Sequence, residues 1–253
     1  MVKSDQGRRY EPLDEVTSRQ HVTARRPRRA GGRYGLLLLL LIGTYLLSAF
    51  TEGKWVINVQ ILAFVCALLL ALRNALVSKR LATAGVAIVL TGSIVVASLA
   101  LFNPSDTALG VAQIWTGLIL LVTVVVILRR VLAETSVTLQ SIYGALAAYM
   151  IIGLMFAAFY AAMYRLGGGA FFANGEPGNT RTFQYFSFTT LTTLGYGDFT
   201  AAGNAGRAVA VMEAMAGQIF LATLVARLVS AFRPARLPEP PEDGEGGEQG
   251  TRQ

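Results

Sequence analysis

Charge is what this chain has little of. Asp, Glu, Lys and Arg make up only 15% of its 253 residues, where a soluble domain carries about a quarter. Histidine and cysteine occur once each, as His21 and Cys66. One cysteine makes no intrachain disulfide, and Cys66, set in an apolar run, reads as a small buried hydrophobe. His21 sits in a polar arm and reads as solvated, so no histidine-based metal or catalytic site can be built within one chain. The acidic residues are scattered over tails and loops, and no nucleophile–base constellation accompanies them. An enzyme and a bound cofactor are therefore not expected.

Hydrophobic residues are abundant instead, at 53%, with a mean hydropathy of +0.51. That balance reads as a membrane protein. The net charge of +7 does not indicate a nucleic-acid partner, because the cations cluster at the edges of apolar runs and in the N-terminal arm, as topology signals do.

Residues 1–34 are polar and basic, with Arg25-Arg26-Pro27-Arg28-Arg29 followed by Gly31 and Gly32, and read as a disordered cytoplasmic arm. The basic run is a topology signal, the sharper alternative being contact with anionic lipid headgroups. Four apolar runs follow, Gly35–Phe50, Trp55–Leu72, Leu81–Phe102 and Leu109–Leu128. Crossing a bilayer takes about 20 helical residues, so these predict a four-helix transmembrane unit over 35–128. The first run is short, but Tyr34 and its flanks extend it, and no small-residue cleavage site follows it cleanly. A more polar linker over 129–142 reads as an amphipathic helix on the inner membrane surface. Residues 143–164 form a fifth span, and Gly167–Thr180 is a glycine-rich loop. The stretch 181–193 is too short to cross, and its place between two spans predicts a re-entrant helix. Residues 206–232 make the sixth span. The acidic tail 233–253 reads as disordered, leaving no room for a folded regulatory domain. With both termini inside, 18 of the 22 Lys and Arg lie on the cytoplasmic side, leaving only Lys54, Arg165, Arg181 and Arg207 outside, as the positive-inside rule requires.

Between the last two spans lies Thr189-Thr190-Leu191-Thr192-Thr193-Leu194-Gly195-Tyr196-Gly197-Asp198. Glycine adopts backbone angles that other residues avoid. A strand that alternates such residues with ordinary ones can turn successive carbonyls to one side. Four copies in a ring would stack oxygen cages able to replace a cation's water. The plain alternative is a glycine-rich turn between helices.

Thr193-Leu194-Gly195-Tyr196-Gly197-Asp198 resembles the signature sequence of tetrameric potassium channels, specifically bacterial six-transmembrane members with a two-helix pore domain. Leu194 stands where Val is commoner. Gly206-Arg207 and Gly217 fall at the family's spacings for the inner helix and its glycine hinge. Tyr185 and Phe186 fall where the family places an aromatic cuff. Thr189 sits where some members carry a buried Glu that pairs with the Asp after the filter. The resemblance implies an all-α membrane protein with six transmembrane helices, a re-entrant pore helix and an extended selectivity filter, assembled as a homotetramer. K+ ions would be held by Thr193, Leu194, Gly195, Tyr196 and Gly197, and Asp198 would ring the outer mouth. Thr192, Gln218, Leu221 and Val225 would line the cavity below the filter, or else be ordinary packing positions.

Glu213 lies on the Gly217 face of the last span. A carboxylate at that depth points into protein or water. It reads as a brace behind the filter through pore-helix hydroxyls such as Thr189 or Thr190, the alternative being a solvated vestibule residue. Gly217 is a hinge or a point of close helix packing, glycine costing about 1 kcal/mol in a helix relative to Ala. A voltage sensor needs charges in the field, at about 2.3 kcal/mol per charge per 100 mV. Leu109–Leu128 holds no Lys or Arg, so voltage-insensitive, passive K+ conduction across a plasma membrane, presumed prokaryotic from the compact layout, is expected. A non-conducting scaffold or modulatory subunit is the alternative. A potassium uptake transporter is disfavoured because only one filter segment occurs.

Overall fold

The computed structural model describes residues 33–51, 54–73, 79–102, 105–133 and 137–231. The basic arm up to residue 32, its expected lipid contact, residues 134–136 of the linker and the acidic tail from 232 onward lie outside the described residues.

Seven helices occur in order among the described residues: α1 (Arg33–Phe50), α2 (Lys54–Arg73), α3 (Lys79–Phe102), α4 (Asp106–Ala133), α5 (Leu139–Gly167), α6 (Thr180–Leu191) and α7 (Asn204–Ala231). Among the described residues there is no strand, only an isolated antiparallel bridge between Phe172 and Ala201. Three helices among the described residues, α4, α5 and α7, are long and apolar enough to cross a membrane. The first three are apolar over the shorter stretches Tyr34–Phe50, Val59–Ala71 and Gly85–Leu99.

Helical periodicity decides which faces meet. On α1 the buried positions are Tyr34, Leu37, Leu41, Thr44 and Ser48, spaced by three and four residues along one stripe. That stripe packs with Leu120, Val124 and Ile127 of α4 and with Ala147, Ala148 and Ile151 of α5 in the main core. Small residues on α5 let its neighbours approach closely, as is usual where apolar burial alone does not hold membrane helices together. At Gly117 of α4, an added Cβ would lie 2.6 Å from the Phe159 ring of α5.

Among the described residues of the linker, 129–133 continue α4 and 139–142 open α5. Leu128-Arg129-Arg130-Val131-Leu132-Ala133 are helix formers without a breaker, so α4 carries both arginines on its own last turns. α5 begins at Leu139 because Thr138 caps it: the Thr138 Oγ1 accepts from the Ser141 amide at 3.2 Å, and Ser141 returns a bond to the Thr138 amide.

α7 is the least covered helix. Along it only Gly206, Glu213 and Gly217 are buried, on one narrow face. Val211, Met212, Met215, Ile219, Val225 and Val229 are all exposed, leaving an apolar surface unmet by the rest of the chain.

Candidate functional site

The site is built on α6. Its start is fixed by Asn179, whose Oδ1 accepts from the Thr182 amide at 3.0 Å while Thr182 Oγ1 accepts from the Asn179 amide at 2.8 Å. The helix stops at Leu191, two residues earlier than expected, because Thr193 takes a φ of +58°. Thr193 is the one non-glycine residue with positive φ among those described. For an L-residue this costs about 1–2 kcal/mol, and such strain persists where surrounding bonds impose it.

Those bonds are present. The Thr193 amide donates to the Thr190 carbonyl at 2.9 Å. The Leu194 and Gly195 amides both donate to the Thr189 carbonyl, at 2.8 and 3.1 Å. Three successive N–H groups of the filter stretch are thus turned back onto the end of α6. Beyond Thr193, positive φ recurs at Gly195 (+48°) and Gly197 (+84°), with Leu194 and Tyr196 between them in ordinary geometry. The sign of φ therefore alternates from 193 to 197. All of residues 192–198 are exposed in the single chain. The carbonyl end of α6 carries partial negative charge directed at the start of this stretch.

The Thr189 and Thr190 backbone carbonyls receive the amides of residues 193–195. The Thr189 hydroxyl bonds the Phe186 carbonyl at 3.0 Å. Glu213 does not meet either threonine. It is fully buried. Its Oε2 accepts from the Tyr160 hydroxyl of α5 at 2.7 Å, and its Oε1 meets the Ser187 hydroxyl of α6. Ser187 Oγ also lies 2.6 Å from the Gly153 carbonyl of α5. The carboxyl thereby ties α7, α6 and α5 together one helical turn behind the filter. Ser187 and Tyr160 were not singled out from the sequence. Only their apolar surroundings and helical phase could have pointed to them.

Gly217 abuts the last carbonyl of α6. A Cβ there would sit 2.3 Å from the Leu191 oxygen and 3.0 Å from Leu191 Cδ1. The Leu191 oxygen also accepts from the Tyr149 hydroxyl at 3.3 Å. The close approach gives Gly217 a packing role, and α7 runs through it as one continuous helix. Gln218 is exposed one residue on, its Nε2 3.4 Å from Thr193 Oγ1. Leu221 and Val225 are also exposed on α7, and Thr192 Oγ1 bonds back to the Phe188 carbonyl at 2.7 Å.

The Asp198 end of the stretch is held by the two loops around α6. Ala173 N donates to Thr200 O and Ala202 N to Phe171 O, both at 2.8 Å. The Asn174 side chain donates to the Asp198 carbonyl at 3.0 Å, and Arg207 Nε to Ala201 O at 3.0 Å. Beneath lies an aromatic cluster. Phe172 stacks on Phe183 at 5.2 Å and meets Phe199 edge-on at 4.9 Å, while Tyr160 meets Phe186 at 5.0 Å. Of the expected cuff, Phe186 is buried in this cluster. Tyr185 is half-buried and faces outward to Phe199. Hydrogen bonding to the Asp198 side chain, with its negative charge adding to the effect, raises the Tyr185 phenol above the ordinary tyrosine value. The glycine-rich loop before α6 was legible as a loop, but not as the lid of this cluster.

Among the described residues no group of three or more His, Cys, Asp or Glu is placed to hold a metal ion. Arg165 pairs with Asp106 at 2.7 Å on an exposed edge, away from the filter stretch.

Residues 148–233, which contain α6, the filter stretch and α7, match a family described as ion channels. The match supports an ion-channel function and, with the apolar helices, a membrane location. It points to a transport protein rather than an enzyme. No curated protein and no solved structure matches the chain.

Proposed function

We propose that the chain is one subunit of a homotetrameric, potassium-selective channel that conducts passively through Thr193-Leu194-Gly195-Tyr196-Gly197. The observation that carries this reading is the filter backbone. Its amides at 193–195 are bonded away to α6, and its φ angles alternate in sign from 193 to 197. An alternating backbone directs carbonyls to one side, where a ring of them can replace an ion's hydration shell. A closed ring needs several copies, and cyclic symmetry supplies them from identical chains. The exposed filter and the bare apolar face of α7 are the surfaces such neighbours would cover.

Asp198 gives each copy a carboxylate at the outer end, where a ring of negative charge would concentrate cations. Gln218, Leu221, Val225 and Thr192 would face the water-filled cavity beneath. Glu213, Ser187 and Tyr160 hold the pore helix in place. With no cation between Leu109 and Leu128, that stretch of α4 moves no charge through the field and gives conduction no steep voltage dependence. Both termini lie in the cytoplasm of a plasma membrane.

The test is ion flux through purified protein in liposomes, with potassium or sodium as the driven ion and barium as blocker. Potassium flux that excludes sodium, is blocked by barium and vanishes in Gly195→Ala is the expected result. Equal flux of both ions would refute the selectivity. No flux from a well-formed tetramer would favour a scaffold or modulatory subunit instead.

A further inference from the structure

Behind α6, on the side away from the filter, lies a cavity of about 30 Å³ where α2, α4, α5 and α6 meet. Its lining is unusual for the middle of apolar helices. Gln60 comes from α2, Gln113 and Thr116 from α4, and Gln184 from α6, with Leu154 and Ala158 of α5 closing the wall. Gln60 is only 7% exposed, Gln184 5% and Thr116 8%. The Gln60 Nε2 nevertheless meets no hydrogen-bond partner among the described residues.

A buried amide donor without a partner costs about 1–3 kcal/mol. Membrane helices keep such a group where a neighbour satisfies it. Apolar cavities stay dry, but a polar one of about 10–15 Å³ or more admits a water molecule that makes two to four hydrogen bonds. This cavity has the room and the partners. The Thr116 hydroxyl donates to Ala112 O at 2.9 Å, which leaves its lone pairs free to accept. Gln113 and Gln184 each bring an amide that can donate or accept.

We propose that this cavity is a binding site for one or two water molecules, which bridge Gln60 of α2 and the Gln113–Thr116 turn of α4 to Gln184 of the pore helix. Gln184 is already held from the other side: Ser48 of α1 bonds its Oε1 at 2.6 Å, and Arg181 Nε reaches the Ser48 carbonyl at 3.3 Å. The bridge makes Gln184 the point at which α1, α2 and α4 grip α6. A shift of α2 or α4 is then felt by the pore helix through hydrogen bonds, without any charge moving through the membrane.

A cryo-EM map of the assembled protein in lipid, at a resolution that shows ordered water, tests the site directly. The expected result is a peak about 2.7–3.2 Å from Gln60 Nε2 and from at least one of Gln113, Thr116 and Gln184. A dry cavity, with the Gln60 amide turned onto a protein acceptor, would overturn the proposal. This readout needs no conduction, so it stands apart from the channel reading. The coupling itself rests on that reading and is measured as potassium flux in a double-mutant cycle of Gln60→Met and Gln184→Met. Each single change shifts flux up to about tenfold, the size of one buried hydrogen bond, and the double shifts it no further than the larger single. Effects that multiply, or flux indifferent to Gln60→Met, would refute the bridge as a link. A wild type without flux would fault the channel reading and leave the water peak to decide the site.

Discussion

Replacing Gly217 with alanine sets two effects of opposite sign against each other. Alanine favours the helix by about 0.8–1.0 kcal/mol over glycine. Against that, its Cβ would lie 2.3 Å from the Leu191 carbonyl oxygen, about 1 Å inside ordinary contact. The obstacle is backbone, which cannot rotate aside as a side chain can. α7 and the end of α6 must therefore separate by about that distance, and overpacking of this kind costs about 1–3 kcal/mol. The upper end applies to a rigid obstacle, so Gly217→Ala is expected to destabilise by about 2 kcal/mol net. The displaced carbonyl directly precedes the filter stretch, and Leu194 and Gly195 hang from Thr189 two residues before it. Thermal unfolding of the purified protein and potassium flux are read together: the variant should melt lower and conduct less. A glycine retained only for bending predicts the reverse for stability, because alanine stiffens and favours the helix. A raised melting temperature would refute the packing argument.

Other substitutions follow from the same geometry. Ser187→Ala strips one of the two hydroxyls from the buried Glu213 carboxyl, and Tyr160→Phe strips the other. Each should cost about 1–3 kcal/mol, read as a lowered melting temperature, and an unchanged melt would show that the carboxyl is satisfied elsewhere. Asp198→Asn should lower potassium flux at low ionic strength and much less at high, because the Debye length falls from about 30 Å at 0.01 M to about 3 Å at 1 M. A salt-independent loss would mark Asp198 as a structural anchor only. Asp106→Ala removes the partner of Arg165 in an exposed pair. The expected cost is about 0–1 kcal/mol, with flux unchanged.

How far the sequence carried depended on whether a feature was local. The positive φ angles at Gly195 and Gly197 were legible, because the backbone requirement there is written in residue type. The positive φ of Thr193 was not legible, since threonine disfavours it. Amides bonded back to Thr189 and Thr190 impose that φ. The interruption between α6 and α7 was plain, yet the partners of Glu213 were missed. Ser187 and Tyr160 lie 26 and 53 residues away in the chain, and only the phase of three packed helices brings them together. Arg129 and Arg130 look like the end of a span by polarity, but helix propensity carries α4 past them to Ala133. Phe171 and Phe172 sit among glycines, and loop composition hid their place in the aromatic cluster beside α6.

The exposure of the filter in a lone chain bears on mixed populations. On the tetrameric reading each copy contributes one wall of a shared conduit, so no copy owns a working pore. A cell making equal amounts of intact and Gly195→Ala subunits would assemble only about one ring in sixteen from intact copies alone, if they mix at random. A defect at one position would then behave as dominant, silencing far more activity than the share of faulty chains, whereas a variant unable to expose the outer face of α7 to its neighbours would be recessive.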